Sequence, residues 1–407
     1  MRARVIVLVA AVVLAVPSVG WAAPGDLDPA FGEGGRVTVA FGEGSAANDV
    51  AIAPDGDLIV AGWLEGMVAV FRFRPGGAID TAFGEDGATW VRLGHQGDEA
   101  NAVAIQPNGK IVVTGTDSRE RFVTVRFQAD GDLDPSFGGD GIVRSALADG
   151  FRVANDVLIQ PDGRIVVVGW SGDRTPKWAL VRYLPDGRMD RTFGDDGLVV
   201  TPYRWAMAYG AALQPDGLIV VTGYSSWGFA VARYRPDGQL DRSFGDGGKI
   251  AQDEPSLVIT GAVAVRPDGR LVLGGDRDIF RHAIVRLMPD GSYDRSFGGD
   301  GVVVVHTGCC EQGITAVLPL AGGKVLGVGY AGPHESADEV PARFVALRLR
   351  NDGTLDDTWG GDGKVVTVFP RGARAWGVAL RGDGRPVLAG AIGLNGGEGI
   401  ALARYLV

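Results

Sequence analysis

Apolar and polar residues alternate along most of this chain in runs of about five to eight, which is the period of a β-strand. One stretch displays the unit clearly, with strands predicted over 154–160, 164–170, 178–184 and 197–201. The first two flank a Pro-Asp-Gly turn, in which Pro fixes φ, Asp bonds the backbone ahead and Gly accepts the left-handed conformation. The pattern therefore predicts units of four antiparallel strands without helices.

A short motif, Asp-x-x-Phe-Gly followed by Gly-x-Val or a close variant, divides the chain into near-equal units, and successive motif aspartates lie 51 to 62 residues apart. The motif aspartates are Asp28, Asp80, Asp134, Asp190, Asp241, Asp294 and Asp356. The aromatic residues of the motif are Phe31, Phe83, Phe137, Phe193, Phe244, Phe297 and Trp359. Seven copies of a four-stranded unit predict an all-β protein, a seven-bladed β-propeller of four-stranded antiparallel blades.

The two ends of the chain carry complementary parts of one unit. Residues 35–40 match the fourth strand of a blade, and residues 400–406 match the third. We therefore expect an N-terminal strand to complete the last blade and close a ring, whereas an open solenoid would need atypical capping repeats at both ends. The predicted blades cover about 46–93, 100–145, 154–201, 207–251, 260–305, 313–368, and 375–407 together with 35–40.

The N-terminal residues are typical of a signal peptide. Arg2 and Arg4 precede an apolar run over 5–16, and Gly20 and Ala22 supply the small side chains that cleavage after Ala22 requires. An uncleaved anchor is the alternative, but the apolar run is shorter than the ~20 residues that span a bilayer. The predicted organisation is a signal peptide over 1–23 and a propeller over 24–407, with no membrane span after signal removal.

Composition narrows the range of partners. The 65 glycines recur beside Asp, Asn and Pro, where tight turns need positive φ. The formal charge of −10 is largely turn chemistry, because most of the acidic residues fall in the recurring turns. No basic stripe with interleaved aromatic residues is present in the sequence, so we expect no nucleic acid partner.

The repeats resemble the delta-60 repeat family, a β-propeller repeat annotated mainly in exported bacterial proteins. The resemblance rests on Asp-Gly-x-Leu-Asp-x-x-Phe-Gly and the downstream Pro-Asp-Gly-x-Ile-Val-Val-x-Gly, and it extends over essentially all of 24–407. It implies the propeller fold and export, and it brings no catalytic residues. Residues 320–323 and 381–383 depart from the turn pattern of the family.

An arginine recurs on every third strand, eight residues before the motif aspartate in six units and across the chain ends in the last. Because a guanidinium fork matches a carboxylate, we predict bidentate ion pairs that hold each connection to its blade. A ligand-binding role is the alternative, although functional residues rarely repeat in every unit of an array. The pairs include Arg126 with Asp134, Arg182 with Asp190, and Arg404 with Asp28.

The row Asp130, Asp132 and Asp134 raises the question of calcium. Calcium loops of the EF-hand kind require a glycine at the sixth position and a distal bidentate carboxylate, which this row does not offer. We therefore expect these residues to cap turns, and we predict neither a metal nor a cofactor.

Cys309 and Cys310 are the only cysteines, and they are adjacent. Exported proteins oxidise their thiols, although neighbouring Cα atoms lie ~3.8 Å apart, below the range that disulfides favour. A vicinal disulfide is our prediction. An intermolecular link and two free thiols stay open as alternatives.

The two faces of the predicted ring differ. The repetitive face carries the Pro-Asp-Gly-type connections, whereas the variable face carries the loops from the second to the third strand and from the fourth strand to the next blade. Because rigid scaffolds place function on variable loops, we predict ligand binding there, by aromatic and arginine side chains. Packing of these rings between blades is the alternative. The candidates are Trp170, Trp178, Tyr203, Arg204, Trp205, Tyr224 and Trp227.

These observations favour a binding or scaffold propeller over an enzyme. The four histidines lie in different units, and the sequence contains no nucleophile elbow or phosphate-binding loop, so no catalytic residue is assigned. We expect a monomer, secreted or held in the periplasm or at the cell surface, with a sugar or peptide ligand or a protein or glycan partner. The alternatives are a lyase-type or hydrolase-type enzyme working in the central channel, and a structural surface protein.

Overall fold

The computed structural model describes residues 22–94, 97–145, 147, 152–203, 205–225, 228–251, 257–308, 311–332, 341–393 and 397–407. The predicted signal peptide lies almost wholly outside this part of the chain. Within it, no helix has the length and apolarity that crossing a membrane would require.

Seven four-stranded antiparallel sheets follow one another around a ring, which confirms the predicted seven-bladed β-propeller. The first blade contains β2 (Ser45–Ile52), β3 (Leu58–Leu64), β4 (Met67–Phe73) and β5 (Ala88–Val91). The second contains β6 (Glu99–Ile105), β7 (Ile111–Thr116), β8 (Phe122–Phe127) and β9 (Ile142–Arg144). The third contains β10 (Arg152–Ile159), β11 (Ile165–Ser171), β12 (Lys177–Tyr183) and β13 (Leu198–Thr201).

The remaining blades repeat this arrangement from the innermost strand outward. The fourth contains β14 (Ala206–Leu213), β15 (Ile219–Ser225), β16 (Gly228–Tyr234) and β17 (Lys249–Ala251). The fifth contains β18 (Leu257–Val265), β19 (Leu271–Arg277), β20 (Arg281–Leu287) and β21 (Val302–Val305). The sixth contains β22 (Glu311–Pro319), β23 (Val325–Gly332), β24 (Arg343–Leu349) and β25 (Lys364–Val368). The seventh contains β26 (Ala373–Leu380), β27 (Pro386–Ile392), β28 (Ile400–Arg404) and the N-terminal β1 (Arg36–Val39).

The chain ends meet in the seventh blade, as predicted. β1 pairs antiparallel with β28, so that Arg36 lies opposite Ala403 and Val39 lies opposite Ile400. The backbone N–H of Gly25 donates to the carbonyl oxygen of Leu406 at 3.0 Å, which takes the place of a turn bond in the other blades. Closure leaves no blade without a neighbour, and the first blade packs against the seventh.

The hydrophobic core lies between the blades. The aromatic residue of every motif is buried, including Trp359, which replaces phenylalanine in the sixth blade. Around Trp359 the core joins Leu326 and Phe344 of the sixth blade to Ala375 and Leu388 of the seventh. The strands are apolar on both faces because each sheet is covered by a sheet on either side.

Two local irregularities interrupt the repeat. At one turn that departs from the sequence pattern, Ala321–Gly323 form a short 3-10 turn. The second irregularity is a β-bulge in the innermost strand of every blade, where the pairing with the second strand shifts register. A bulge changes the direction in which nearby side chains point. These bulges lie where the innermost strands surround the central channel.

Candidate functional site

The repetitive face carries a belt of arginine–aspartate pairs. The Nε atom of Arg182 lies 2.8 Å from Oδ2 of Asp190, and Nη1 donates to the carbonyl oxygen of Pro236 in the next blade. The guanidinium carbon lies 4.5 Å from the centroid of the Phe193 ring. Arg182 therefore joins its own connection to the neighbouring blade through a charge, a hydrogen bond and a ring contact.

The other predicted pairs adopt the same geometry, in which Nε donates to one carboxylate oxygen and the Nη atoms bond other groups, so these contacts are not bidentate as predicted. The Nε–Oδ2 distance is 2.6 Å for Arg126 with Asp134 and 2.8 Å for Arg404 with Asp28. The first blade differs, because Nε of Arg72 lies 2.8 Å from Asp57 and 3.2 Å from Asp80. These pairs lie among buried side chains that connect blades, which matches a folding role.

The pKa values of five motif carboxyl groups are lowered, those of Asp134, Asp190, Asp241, Asp294 and Asp356. Burial alone would raise the pKa of Asp190, but hydrogen bonds from Thr192 and the charge of Arg182 outweigh it and lower the value. The same balance lowers the pKa of Asp134, where Lys110 and Arg126 supply the positive charge. Charge on this face is thus compensated locally.

The predicted aromatic candidates separate into two groups. Trp178 is buried between the third and fourth blades, 4.6 Å from the ring of Tyr203, whose hydroxyl donates to the carbonyl oxygen of Val231 at 2.9 Å. Trp205 is 45% exposed and lies edge-on to Tyr224 with ring centroids 6.1 Å apart. Trp170 is half-buried. Only the second group is positioned to meet a ligand.

Four predicted residues fall outside the part of the chain that the structure describes. These residues are Arg204, Trp227, Cys309 and Cys310. The predicted vicinal disulfide therefore stays a prediction. Among the described residues, no group of three or more His, Cys, Asp or Glu side chains is arranged to hold a metal ion.

Asparagines at the bulges of the first three innermost strands each bond to the next blade. Asn48 donates through Nδ2 to the carbonyl oxygen of Ala100 at 2.9 Å, and Asn101 makes the same bond to Ala154 at 2.9 Å. Asn155 repeats the bond to Ala208 at 2.6 Å. The first four blades are therefore joined around the channel by three asparagine side chains.

Aspartates follow two of these asparagines. Oδ2 of Asp49 accepts from the backbone N–H of Val103 at 3.0 Å, and Oδ2 of Asp156 accepts from that of Ala211 at 2.7 Å. The seventh blade has Gly377 at this position, where a Cβ atom would lie 2.8 Å from Oδ1 of Asp49. Glycine there leaves room for the carboxylate.

These side chains line a pocket of about 570 Å³ in the central channel, to which all seven blades contribute. Glu99 and Gly313, near the starts of β6 and β22, belong to its wall, so the pocket extends toward the variable face. This volume suits a small molecule or a side chain of a larger one. Tyr209, Tyr330 and Trp376 supply the aromatic part of the wall.

The carboxyl groups in the pocket have high pKa values. Burial raises the pKa of Asp49 to about 6, despite hydrogen bonds from the backbone of Val103 and Val50. Burial, aided by the negative charge of Asp49, raises the pKa of Asp156 to about 7. Burial also raises the pKa of Glu99. Of these groups, Asp49 and Asp156 therefore titrate close to neutral pH.

The aromatic part of the wall continues to the variable face. The rings of Tyr330 and Trp376 lie 5.5 Å apart, and the guanidinium carbon of Arg374 lies 4.8 Å from the centroid of Tyr330. Arg374 also forms an ion pair with Glu311 at 3.5 Å. On the fourth blade, burial first and Tyr224 second raise the pKa of Tyr209. The hydroxyl of Tyr209 lies 3.4 Å from the sulfur of Met207, which is paired with Tyr224, so the Trp205–Tyr224 contact lies next to the channel wall.

Sequence reasoning missed the channel residues. A signal was present, since Ala-Asn-Asp-Val occurs at 47–50 and again at 154–157, with Ala-Asn-Ala-Val at 100–103. Polar Asn and Asp inside an innermost strand, at the same place in several units, conflict with the apolar pattern. Such a conflict is a reason to expect a bulge or a site.

A family model described as "Domain of unknown function (DUF5122) beta-propeller" matches residues 106–137, 160–193, 214–244 and 266–297. Each stretch runs from a repetitive-face turn to the motif aromatic residue of its blade. The matches support a β-propeller repeat family. No curated protein matches the chain.

Solved structures share the architecture at low identity. A streptogramin B lyase structure is 10% identical, with a TM-score of 0.54, over 88% of this chain and 93% of its own. A catalytically inactive variant of virginiamycin B lyase from Staphylococcus aureus, with quinupristin, is 13% identical, with a TM-score of 0.54, over 91% of this chain and 99% of its own. At this identity the likeness concerns the fold alone.

Proposed function

We propose that this chain is an exported, non-enzymatic binding propeller whose ligand enters the central channel from the variable face. The observation that carries the proposal is the pocket of about 570 Å³ to which every blade contributes. Its wall combines Asn and acidic side chains with three aromatic rings, a composition suited to binding a small ligand or a peptide side chain. The resemblance to the delta-60 repeats supports export, and we place the mature protein in the periplasm, at the cell surface or in the medium.

The exposed ring of Trp205 extends this site onto the variable face. It contacts Tyr224, which is paired with Met207, and Met207 contacts the hydroxyl of Tyr209 in the channel wall. A ligand larger than the pocket, such as a peptide or an oligosaccharide, would contact these rings outside the channel while one group enters it.

A glycan and peptide array probed with the secreted protein tests this function. The wild type should bind a subset of ligands, and Trp376→Ala should abolish those signals because its ring lines the pocket. Trp90→Ala is the matched control, since Trp90 lies on β5, the outermost strand of the first blade. Absence of binding by the wild type, or binding that Trp376→Ala leaves intact, would contradict the channel site.

Export has its own test. Mass spectrometry of protein recovered outside the cytoplasm should show Ala23 as the first residue, as expected for cleavage after Ala22. Retention of residues 1–22, or accumulation of the chain only in the cytoplasm, would exclude the exported form of the proposal.

The raised pKa values of Asp49 and Asp156 favour one second candidate, an enzyme of the lyase or hydrolase class acting in the channel. A carboxyl group that titrates near neutral pH can donate or accept a proton during a reaction. Each ligand found on the array should therefore be incubated with the protein and analysed by mass spectrometry. Recovery of unchanged ligand supports binding, whereas a product that disappears with Asp156→Asn supports the enzyme.

A further inference from the structure

The wall of the channel pocket is divided by chemistry. Its acidic residues, Asp49, Glu99 and Asp156, come from the first three blades. Its aromatic residues, Tyr209, Tyr330 and Trp376, come from the fourth, sixth and seventh blades. A ligand in the pocket would therefore have carboxylates on one side and aromatic rings on the other.

No positive side chain balances these carboxylates within the wall. The described residues that line the pocket include no lysine, arginine or histidine. The carboxylate of Asp156 accepts hydrogen bonds from the backbone N–H groups of Val157 and Ala211, and these groups carry no net charge. A cleft lined by charge of one sign focuses its field on the space inside, so the pocket attracts cations.

The aromatic side of the wall is suited to the same kind of ligand. The face of Tyr330 already accepts a cation within the protein, since the guanidinium carbon of Arg374 lies 4.8 Å from the ring centroid. Trp376 lies 5.5 Å from Tyr330, and tryptophan is the side chain that binds cations most strongly through its ring. Aromatic rings and carboxylates together bind ammonium groups in water.

We propose that the channel binds an organic cation whose ammonium group lies between the carboxylates of Asp49, Glu99 and Asp156 and the rings of Tyr330 and Trp376. This inference rests on the proposed function and assigns the chemical class of its ligand. The cavity volume admits either a free amine or the side chain of a basic peptide residue. A neutral sugar would leave the charge of the pocket unbalanced.

Isothermal titration at pH 8 and low salt tests the charge requirement. Choline and its neutral isostere 3,3-dimethylbutan-1-ol have nearly the same shape, so a difference between them measures the charge. We expect choline to bind at least about tenfold more tightly. A doubly capped lysine peptide, titrated in parallel, distinguishes a peptide side chain from a free amine by which of the two binds more tightly.

Variants locate the cation. Glu99→Gln and Asp156→Asn should each weaken choline binding by about threefold to tenfold, because each removes one negative charge near the ligand. Trp376→Leu should weaken choline more than it weakens the isostere. Glu85→Gln and Asp195→Asn, at exposed positions on the repetitive face, are matched controls and should bind choline like the wild type. Glu99→Gln keeps the test valid if Asp156→Asn fails to fold.

The affinity for choline should also rise between pH 5 and pH 8, because a cation favours the ionised carboxylates. The charged and titratable groups in and beside the pocket are Asp49, Glu99, Asp156, Tyr209, Tyr330, Asp276, Glu311 and Arg374. Burial raises the pKa values of Asp49 and Asp276 to about 6 and that of Asp156 to about 7, and it also raises the pKa of Glu99. The isostere should show no such dependence.

The possible outcomes test the binding function and the ammonium assignment separately. If choline binds no more tightly than its isostere while array ligands bind and depend on Trp376, the ammonium assignment is wrong and the binding function stands. If choline and the peptide fail to bind up to about 10 mM, and array ligands fail too, both are wrong. Tight choline binding that Glu99→Gln and Asp156→Asn leave unchanged would place the cation elsewhere and overturn the inference.

Discussion

The third blade contains two aspartates in opposite surroundings. Asp190, on the repetitive face, is paired with Arg182 at 2.8 Å, and its pKa is lowered. Asp156, in the channel, has backbone N–H groups as its hydrogen-bond donors, and its pKa is raised to about 7. One carboxylate is stabilised in its charged form by the fold, and the other is destabilised by it.

The difference in surroundings indicates a folding role for Asp190 and a binding role for Asp156. Every blade repeats the arginine belt, as expected for an interaction that each unit needs in order to pack against the next. The channel carboxylates occur in the first three blades alone among the described residues that line the pocket. Buried charged groups that destabilise the fold and have no charged partner are characteristic of functional sites.

Arg182→Ala should produce the largest effect, a loss of about 3 kcal/mol in the free energy of unfolding, because it removes the buried partner of Asp190 and leaves only Arg164, which lies 2.8 Å from Oδ2 and is 34% exposed. It also removes the hydrogen bond to Pro236 and the contact with Phe193. Urea unfolding followed by circular dichroism measures the loss. Arg188→Ala is the control, since Arg188 pairs with Asp186 at 2.8 Å but its side chain is 77% exposed. We expect that variant to lose less than about 0.5 kcal/mol.

Arg182→Lys sharpens the test because it keeps the charge and removes the planar fork. Its stability should fall between those of the wild type and Arg182→Ala. If Arg182→Ala lost no more stability than Arg188→Ala, the arginine–aspartate pairs would not stabilise the fold. The proposed difference in role between Asp190 and Asp156 would then be wrong.

The fold was predictable because its information is local and repeated. Each unit contains the same turn sequence and the same buried aromatic residue, and the two ends of the chain supply the strands of one blade. The belt was accessible for the same reason, since Arg182 and Asp190 lie close in sequence and recur as a pair.

The channel was not predictable in this way. Asp49 and Asp156 lie in different blades, and only ring closure brings them to one pocket. The burial of the aromatic candidates was unpredictable for a different reason. Strands in a propeller are covered on both faces, so alternation along β12 could not distinguish a buried Trp178 from an exposed one, whereas Trp205 precedes its strand and remains exposed.

The pH dependence of stability should show the second-largest effect. Asp156 has a pKa of about 7 in the folded chain and about 3.9 when unfolded, so the stability it contributes is complete below pH 4 and is lost as the pH rises through 7. Asp156 is half-buried, so solvent screens the group in part and we expect a loss of about 2 kcal/mol. Unfolding free energies measured from pH 4 to pH 8 should fall less steeply for Asp156→Asn than for the wild type.

Asp190 should behave in the opposite sense. Its pKa is lowered in the folded chain, so its contribution is present above the unfolded pKa and is lost as the pH falls into the acid range. Asp195→Asn, at an exposed position of the same blade, is the control and should leave both slopes unchanged. Equal slopes for the wild type and Asp156→Asn between pH 4 and pH 8 would show that the channel carboxylate is not destabilised.

The smallest effect on stability concerns the side chain two residues after the motif aspartate. It carries a hydroxyl group in five blades and lacks one in the other two. Its oxygen lies near Nη2 of the belt arginine and donates to the motif aspartate. The residues that carry it are Ser136, Thr192, Ser243, Ser296 and Thr358. The first and seventh blades have Ala82 and Ala30 instead.

Ala30→Ser should therefore stabilise the protein by about 0.5–1 kcal/mol, because it adds these bonds where Arg404 already lies 4.8 Å from the Phe31 ring, as in the complete units. Ala82→Ser should gain less, since Asp57 draws Arg72 away and its guanidinium lies 5.9 Å from the ring of Phe83. Urea unfolding of both variants shows which of them gains more free energy of unfolding. A larger gain at Ala82 than at Ala30 would mean that arginine placement does not control the strength of the belt.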